Sequence, residues 1–222
     1  MSCLDILCGK GASEVGNLAY ILYISLCIPL FMMLVLLEGK SRRLIFFMIM
    51  GITECLLASE INPILSTLSN HTTAYVTTTI TPISEEILKA CPILFYAVFF
   101  SDDRQDILEI SMAVGIGFAL LENAWILINS MYSVTILWAF IRGFGSALMH
   151  GICCLFVGFG TSYIRRRKLF YPGIFAMMSV AIIYHASYNC LVQSSNQYLG
   201  ILLPIITYIP FIFFVKKQLE IK

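Results

Sequence analysis

The sequence predicts an all-α protein, a polytopic transmembrane helical bundle of about seven spans. Three observations carry that expectation. Of 222 residues, 59% are hydrophobic and only 12% charged, about half the charge of an ordinary soluble domain. Mean hydropathy is +0.87. The apolar residues run in continuous blocks of roughly bilayer-spanning length and do not alternate as strands would.

The blocks lie near 16–37, 44–61, 81–100, 107–129, 134–163, 170–192 and 199–215. The second is short and carries Glu54, and the fifth is long enough to begin late or tilt. The stretch 62–80, with six threonines and no Lys or Arg, reads as an ordered or partly re-entrant surface loop. No second domain or internal repeat is visible, so 1–222 is expected to be one integral-membrane domain.

Orientation follows from the basic residues. Lys40, Arg42 and Arg43 follow the first span, Arg104 the third, and Arg165, Arg166, Arg167 and Lys168 the fifth, while Lys216, Lys217 and Lys222 lie in the tail. Alternating spans put all of these on one side, and only Lys10 on the other. The positive-inside rule therefore predicts an outside N-terminus and a cytoplasmic C-terminus. A net charge of +1 with no basic, aromatic-interleaved cluster argues against nucleic acid as a partner. The eight cysteines contain no CxxC pair and read mainly as buried thiols, with Cys3 and Cys8 able to pair. The first residues lack the basic start and apolar block of a cleavable leader. Asn70-His71-Thr72 is a glycosylation sequon.

The chemistry gathers around Thr81-Pro-Ile-Ser-Glu-Glu-Ile-Leu-Lys89. Thr81 suits an N-cap and Pro82 a first helical turn. Glu85 and Glu86 precede Lys89 by four and three residues, so both can face that cation on one helix. Charge within a spanning helix is costly and points to function. The fourth span adds Glu122 and Asn123, the fifth Arg142 and His150, the sixth His185 and Asn189, four apart on one face. Counted along each helix, these groups fall in the outer half of the membrane, except that His150 lies deeper.

Each group also has a structural reading. Glu85, Glu86 and Lys89 can be an interfacial ion pair, and Glu122 can neutralise Arg142. Either His can be a packed helix residue, and Asn123 and Asn189 can be interhelical glue. Glu54, Glu60 and Glu109 read as interface or packing residues, and Trp125 and Trp138 as lipid-facing or belt residues. Two Glu sites, two His and two Asn at compatible depth are nevertheless expensive to keep for packing alone.

Some chemistries are excluded. All four Asp residues (Asp5, Asp102, Asp103, Asp106) fall outside the spans, so there is no intramembrane aspartyl dyad. H-E-x-x-H and G-x-S-G are absent. Two schemes remain. A Glu can take a proton from water while His and Asn donate to the carbonyl oxyanion. Alternatively, Glu and His can hold a divalent metal, for which Glu, Glu, His, His is an acceptable zinc set.

The motifs Glu85-Glu86-x-x-Lys89, Phe118-x-x-x-Glu122-Asn123, Arg142 with His150-Gly151, and His185-x-x-x-Asn189 occur in order, each in a separate span. Over about residues 80–190 the chain resembles the PrsW family of intramembrane proteases. It is more distantly similar to the CAAX-protease and bacteriocin-processing group, which has His where this chain has Glu122. The resemblance implies a multi-pass cell-membrane endopeptidase that cuts a membrane-protein substrate, such as an anti-sigma factor, near the extracytoplasmic side. It implies Glu85 or Glu86 as the base, Glu122 and His150 completing the base or metal site, and His185 with Asn189 polarising the scissile carbonyl. Lys89 and Arg142 would hold the carboxylates, with Asn123 in support. The family is described as metalloproteases, whereas the wider group implies a metal-free glutamate mechanism. Zinc held by Glu86, Glu122, His150 and His185 therefore stands beside no metal. A non-catalytic scaffold or immunity protein and a proton-coupled transporter are the other classes the polar cluster would serve.

Overall fold

The computed structural model describes residues 12–130, 135–164, 167–194 and 197–220. Among them are seven long helices and no strand: α1 (Ala12–Leu36), α2 (Gly39–Ser69), α3 (Thr81–Phe99), α4 (Arg104–Asn129), α5 (Ile136–Thr161), α6 (Arg167–Gln193) and α7 (Gln197–Glu220). Five of them, α1, α2, α4, α5 and α6, contain segments long and apolar enough to cross a membrane. The apolar part of α7, Leu199–Phe213, is shorter. In α3 the three charges Glu85, Glu86 and Lys89 interrupt a helix that is otherwise apolar to Phe99.

The exposed surface is that of a protein in lipid. Val35, Leu36, Ile136, Phe140 and Phe175 all face outward, where a soluble protein would bury such side chains. The chain is a multi-pass membrane protein.

α4 lies between α2 and α5, α5 continues to α6, and α7 packs on α5 and α6. α3 touches α2, α4, α5 and α6, so the charged helix is in the middle of the bundle. Its core joins Ile93, Tyr96 and Ala97 of α3 to Ile110 and Val114 of α4, Met149, Cys153 and Val157 of α5, and Ala181 and Tyr188 of α6. Glycine sets the closeness of these helices. A Cβ on Gly51 would fall on the Val114 carbonyl, and one on Gly117 on the Met48 carbonyl, so α2 and α4 touch backbone to backbone. At Gly115 a Cβ would meet the His150 carbonyl oxygen at 2.5 Å. That approach brings the backbone carrying His150 against α4.

Two local expectations are corrected. The stretch 62–80 is not a loop. Helix α2 runs through Pro63 to Ser69 and ends at Asn70 in the left-handed conformation (φ 51°). Thr72 then caps a helical turn, Thr73–Tyr75, its hydroxyl accepting from the Tyr75 amide. A π-helical segment, Val76–Ile80, leads into α3 with no break. Thr81 is consequently no N-cap: the residue before it is already helical, and its own hydroxyl oxygen is buried without a hydrogen bond. Turn-forming residues misled here because Pro63 and the threonines tolerate helix once neighbouring helices pack on them.

His150, about 21 Å along α5 counted from Ile136, nevertheless touches both Lys89 and Glu122, so it lies level with the other groups and not deeper.

Among the other expectations, Trp125 is a core residue against Ala19 and Ile126 instead of a belt residue. Glu109 pairs with Lys40 (2.6 Å) and Arg43 (3.7 Å) at one end of the bundle. Cys27, Cys153 and Cys154 are buried free thiols, while Cys91 and Cys190 are exposed. Cys3, Cys8, Lys10, Arg165, Arg166 and Lys222 lie outside the described residues.

Candidate active site

Helices α3, α4, α5 and α6 each bring ionisable side chains to one buried place. Lys89 Nζ donates to Glu86 Oε1 (2.5 Å) and lies 2.9 Å from His150 Nδ1. It also sits over the Phe118 ring, 4.5 Å from its centroid, a favourable place for a cation. His185 Nδ1 lies 2.7 Å from the same Glu86 oxygen. His150 Nε2 lies 3.1 Å from Glu122 Oε2, and the two imidazoles meet edge to face with centroids 5.0 Å apart.

These partners fix both histidine tautomers. A carboxylate only accepts, so His185 carries its hydrogen on Nδ1 and presents a lone pair at Nε2. An ammonium only donates, so His150 accepts at Nδ1, and its Nε2 carries the hydrogen and donates to Glu122. Each ring is thus oriented by a charged neighbour on another helix, and both rings are almost fully buried.

The three glutamates differ in how their oxygens are used. Glu122 Oε2 takes three donors: Ser146 Oγ (3.0 Å), His150 Nε2 (3.1 Å) and Arg142 Nη2 (3.3 Å). Glu86 Oε1 takes two, from Lys89 and His185. Glu85 Oε1 takes one, from Asn62 Nδ2 at 3.1 Å. Its Oε2 is buried, has no hydrogen bond, and faces His185 Nε2 at 3.8 Å. At that point two acceptors look at each other across a short gap, an arrangement that favours a proton donor or a cation between them.

The structure thus gathers Glu85, Glu86, Lys89, Glu122, Arg142, His150 and His185 into one cluster. Asn189 and Asn123 make no hydrogen bond to it among the described residues. Asn189 Nδ2 donates to the Thr77 carbonyl at 3.0 Å and, with Thr77 Oγ1 on Gln193 Oε1 (3.2 Å), ties α6 to the π-helical segment. Asn123 is buried beside Glu122 in sequence, with its Oδ1 left unbonded. Sequence reasoning missed Asn62, because an Asn-Pro step in a Ser/Thr-rich stretch reads as a turn. It also missed Ser146 as a partner of Glu122, though that residue lies four before His150 on one helix face.

As a metal centre the cluster presents a different set from the Glu86, Glu122, His150, His185 combination. The grouped ligand atoms belong to Glu85, His150 and His185, all within 4.8 Å of one another. Glu122 Oε2 and Glu86 Oε1 are occupied by donors; Glu86 Oε2 is buried without a hydrogen bond but belongs to no such group. Three protein ligands with an open position is the pattern of catalytic zinc. Glu85 Oε2 and His185 Nε2 have open lone pairs and fit such a role. His150 fits only when one of its nitrogens is released, Nδ1 by Lys89 or Nε2 by Glu122.

Residues 39–215 match the model of a family described as PrsW family intramembrane metalloprotease. No curated protein and no solved structure matches the chain.

Proposed function

The chain belongs to the PrsW family of intramembrane proteases, and from that premise we propose that it hydrolyses a peptide bond in a membrane-protein substrate with water activated by Glu85. The observation that carries this reading is Glu85 Oε2: a buried carboxylate oxygen with no hydrogen bond, 3.8 Å from an imidazole nitrogen whose lone pair faces it.

In this mechanism Glu85 Oε2 takes one proton from a water. The water oxygen bonds to the scissile carbonyl carbon, and the carbonyl π electrons move to its oxygen. Collapse of the tetrahedral adduct breaks the C–N bond, and the proton held by Glu85 goes to the departing nitrogen. Glu86 keeps His185 in the tautomer that aims Nε2 at the water, the orienting role a carboxylate plays for a catalytic imidazole elsewhere. Lys89 holds Glu86 and His150 in place. The donor for the oxyanion is Arg142, whose Nε–H is buried and unspent; Glu122 orients it and holds His150 through its Nε2–H. Asn189 serves the architecture of the π-helical segment instead of the carbonyl. A metal, where bound, would be held by Glu85 and His185 with His150 as the conditional third ligand, and would supply Lewis-acid polarisation and a more acidic water. A cell-membrane location follows from the family reading, and cleavage toward the extracytoplasmic side rests on the orientation that the charge bias of the loops predicts.

Cleavage of a tagged panel of single-span substrates in reconstituted vesicles tests the reading. Wild type is expected to cut, and His185→Ala at normal expression to lose cleavage. Chelator sensitivity reversed by added zinc would select the metal scheme, and indifference the metal-free one. A wild type that cuts nothing across a broad panel would move the protein to the scaffold class, and a proton-dependent flux in the same vesicles to the transporter class.

A further inference from the structure

Asn62 lies on α2 where that helix passes α3. Its Nδ2 donates to Glu85 Oε1 (3.1 Å), and its Oδ1 accepts from Ser84 Oγ (2.6 Å). The Ser84 hydroxyl is itself anchored near the Thr81 carbonyl oxygen at 2.9 Å. Both ends of the amide are therefore engaged, and it cannot turn over without breaking both bonds. A free carboxylate rotates about its last bond and offers either oxygen. Glu85 is restrained because one oxygen is held, and the unheld one is left facing His185 Nε2.

We propose that Asn62, backed by Ser84, is a positioning residue of the reaction: it holds Glu85 Oε1 and so commits Oε2 to the water. This rests on Glu85 being the base. The pair acts through Glu85 and touches no reacting atom. Ser84 also lines an apolar cleft of about 410 Å³ between Ile61 and Leu65 of α2, Ile80 of the π-helical segment, and Ile83 and Ile87 of α3. A substitution at this seam can therefore act on binding as well as on orientation, and the kinetic test has to separate the two.

Steady-state cleavage by the full-length reconstituted protein does so. Asn62→Ala is expected to lower kcat about 10- to 100-fold, the usual cost of losing a group that orients a reacting residue, with KM unchanged. Ser84→Ala is expected to lower kcat less, and Ser84→Thr, which keeps the hydroxyl, to restore most of that loss. On a Glu85→Gln background, Asn62→Ala should slow the residual reaction no further. The Ser84 pair keeps the test decisive if Asn62→Ala fails to fold. Three outcomes overturn the proposal: wild-type kcat in Asn62→Ala and Ser84→Ala while Glu85→Gln is inactive, a change confined to KM, or an undiminished Asn62 effect in the Glu85→Gln background. The first of these leaves Glu85 as the base. A fully active Glu85→Gln would instead remove the reading on which the proposal stands.

Discussion

The chemistry of single side chains decides most of what this cluster can do. Lys89 joins three helices, bound to Glu86 on its own helix and to His150 on α5 while lying over Phe118 of α4. Removing one partner of a buried charge pair leaves the other uncompensated. Lys89→Met should therefore cost about 3–5 kcal/mol, read as a lowered unfolding midpoint in detergent, whereas Lys40→Met, whose partner Glu109 sits at an exposed end, should cost under about 1 kcal/mol. Lys89 also governs the hydrogen on His150. If its hold on Nδ1 keeps Nε2 protonated, a milder Lys89→Gln variant that still folds should bind zinc more tightly than wild type in a calorimetric titration; equal affinity would show that His150 is no ligand in either. At this scale the sequence was informative where ionisable residues broke apolar runs, because lipid makes such residues conspicuous. It was uninformative at Asn62 and Ser146, whose roles come from what another helix places opposite them. Asn189 lies on the expected helix face, and one of its two amide hydrogens goes to the Thr77 carbonyl, a contact the sequence does not reveal.

At the scale of helices, apolar runs located all seven elements to within a few residues, apart from the end of α2 and the approach to α3. There the local signals of Pro63 and the threonines pointed to a loop, and packing against neighbouring helices prevailed. The helical path from Thr73 runs through the π-helical segment into α3 without a break. The glycines divide by the space around them. Gly117→Ala would drive a methyl into the Met48 backbone and should destabilise by about 1–3 kcal/mol, the range for overpacking. Gly143, where an added methyl would meet nothing within 4 Å, should accept Ala with a gain of up to about 1 kcal/mol in helix propensity. Thermal midpoints of the two variants, compared in one detergent, check both. Equal effects would mean that the α2–α4 contact is looser than the structure has it.

For the molecule as a whole, composition and hydropathy were sufficient for the class, because a bilayer permits few solutions: each helix satisfies its own backbone and turns apolar side chains outward. The convergence of four helices on one site was only suggested by matching depth; the distances and tautomers needed three-dimensional packing. Orientation is a separate claim, resting on the basic loops. A reporter active only in the cytoplasm should be active when fused after Lys222 and silent when fused before Met1. The reverse result would invert the bundle and move the proposed cleavage to the cytoplasmic side.

The central claim, that Glu85 is the base, is tested most directly by the single-turnover cleavage rate of purified Glu85→Gln set against wild type, with the unfolding midpoint of each measured in parallel. Glu85→Gln keeps the size of the side chain and an acceptor for Asn62 while losing the basic oxygen. It should fold normally and cut about 10²- to 10⁴-fold more slowly, the contribution expected of a positioned general base. A folded Glu85→Gln protein that cuts within a few-fold of wild type would contradict the account.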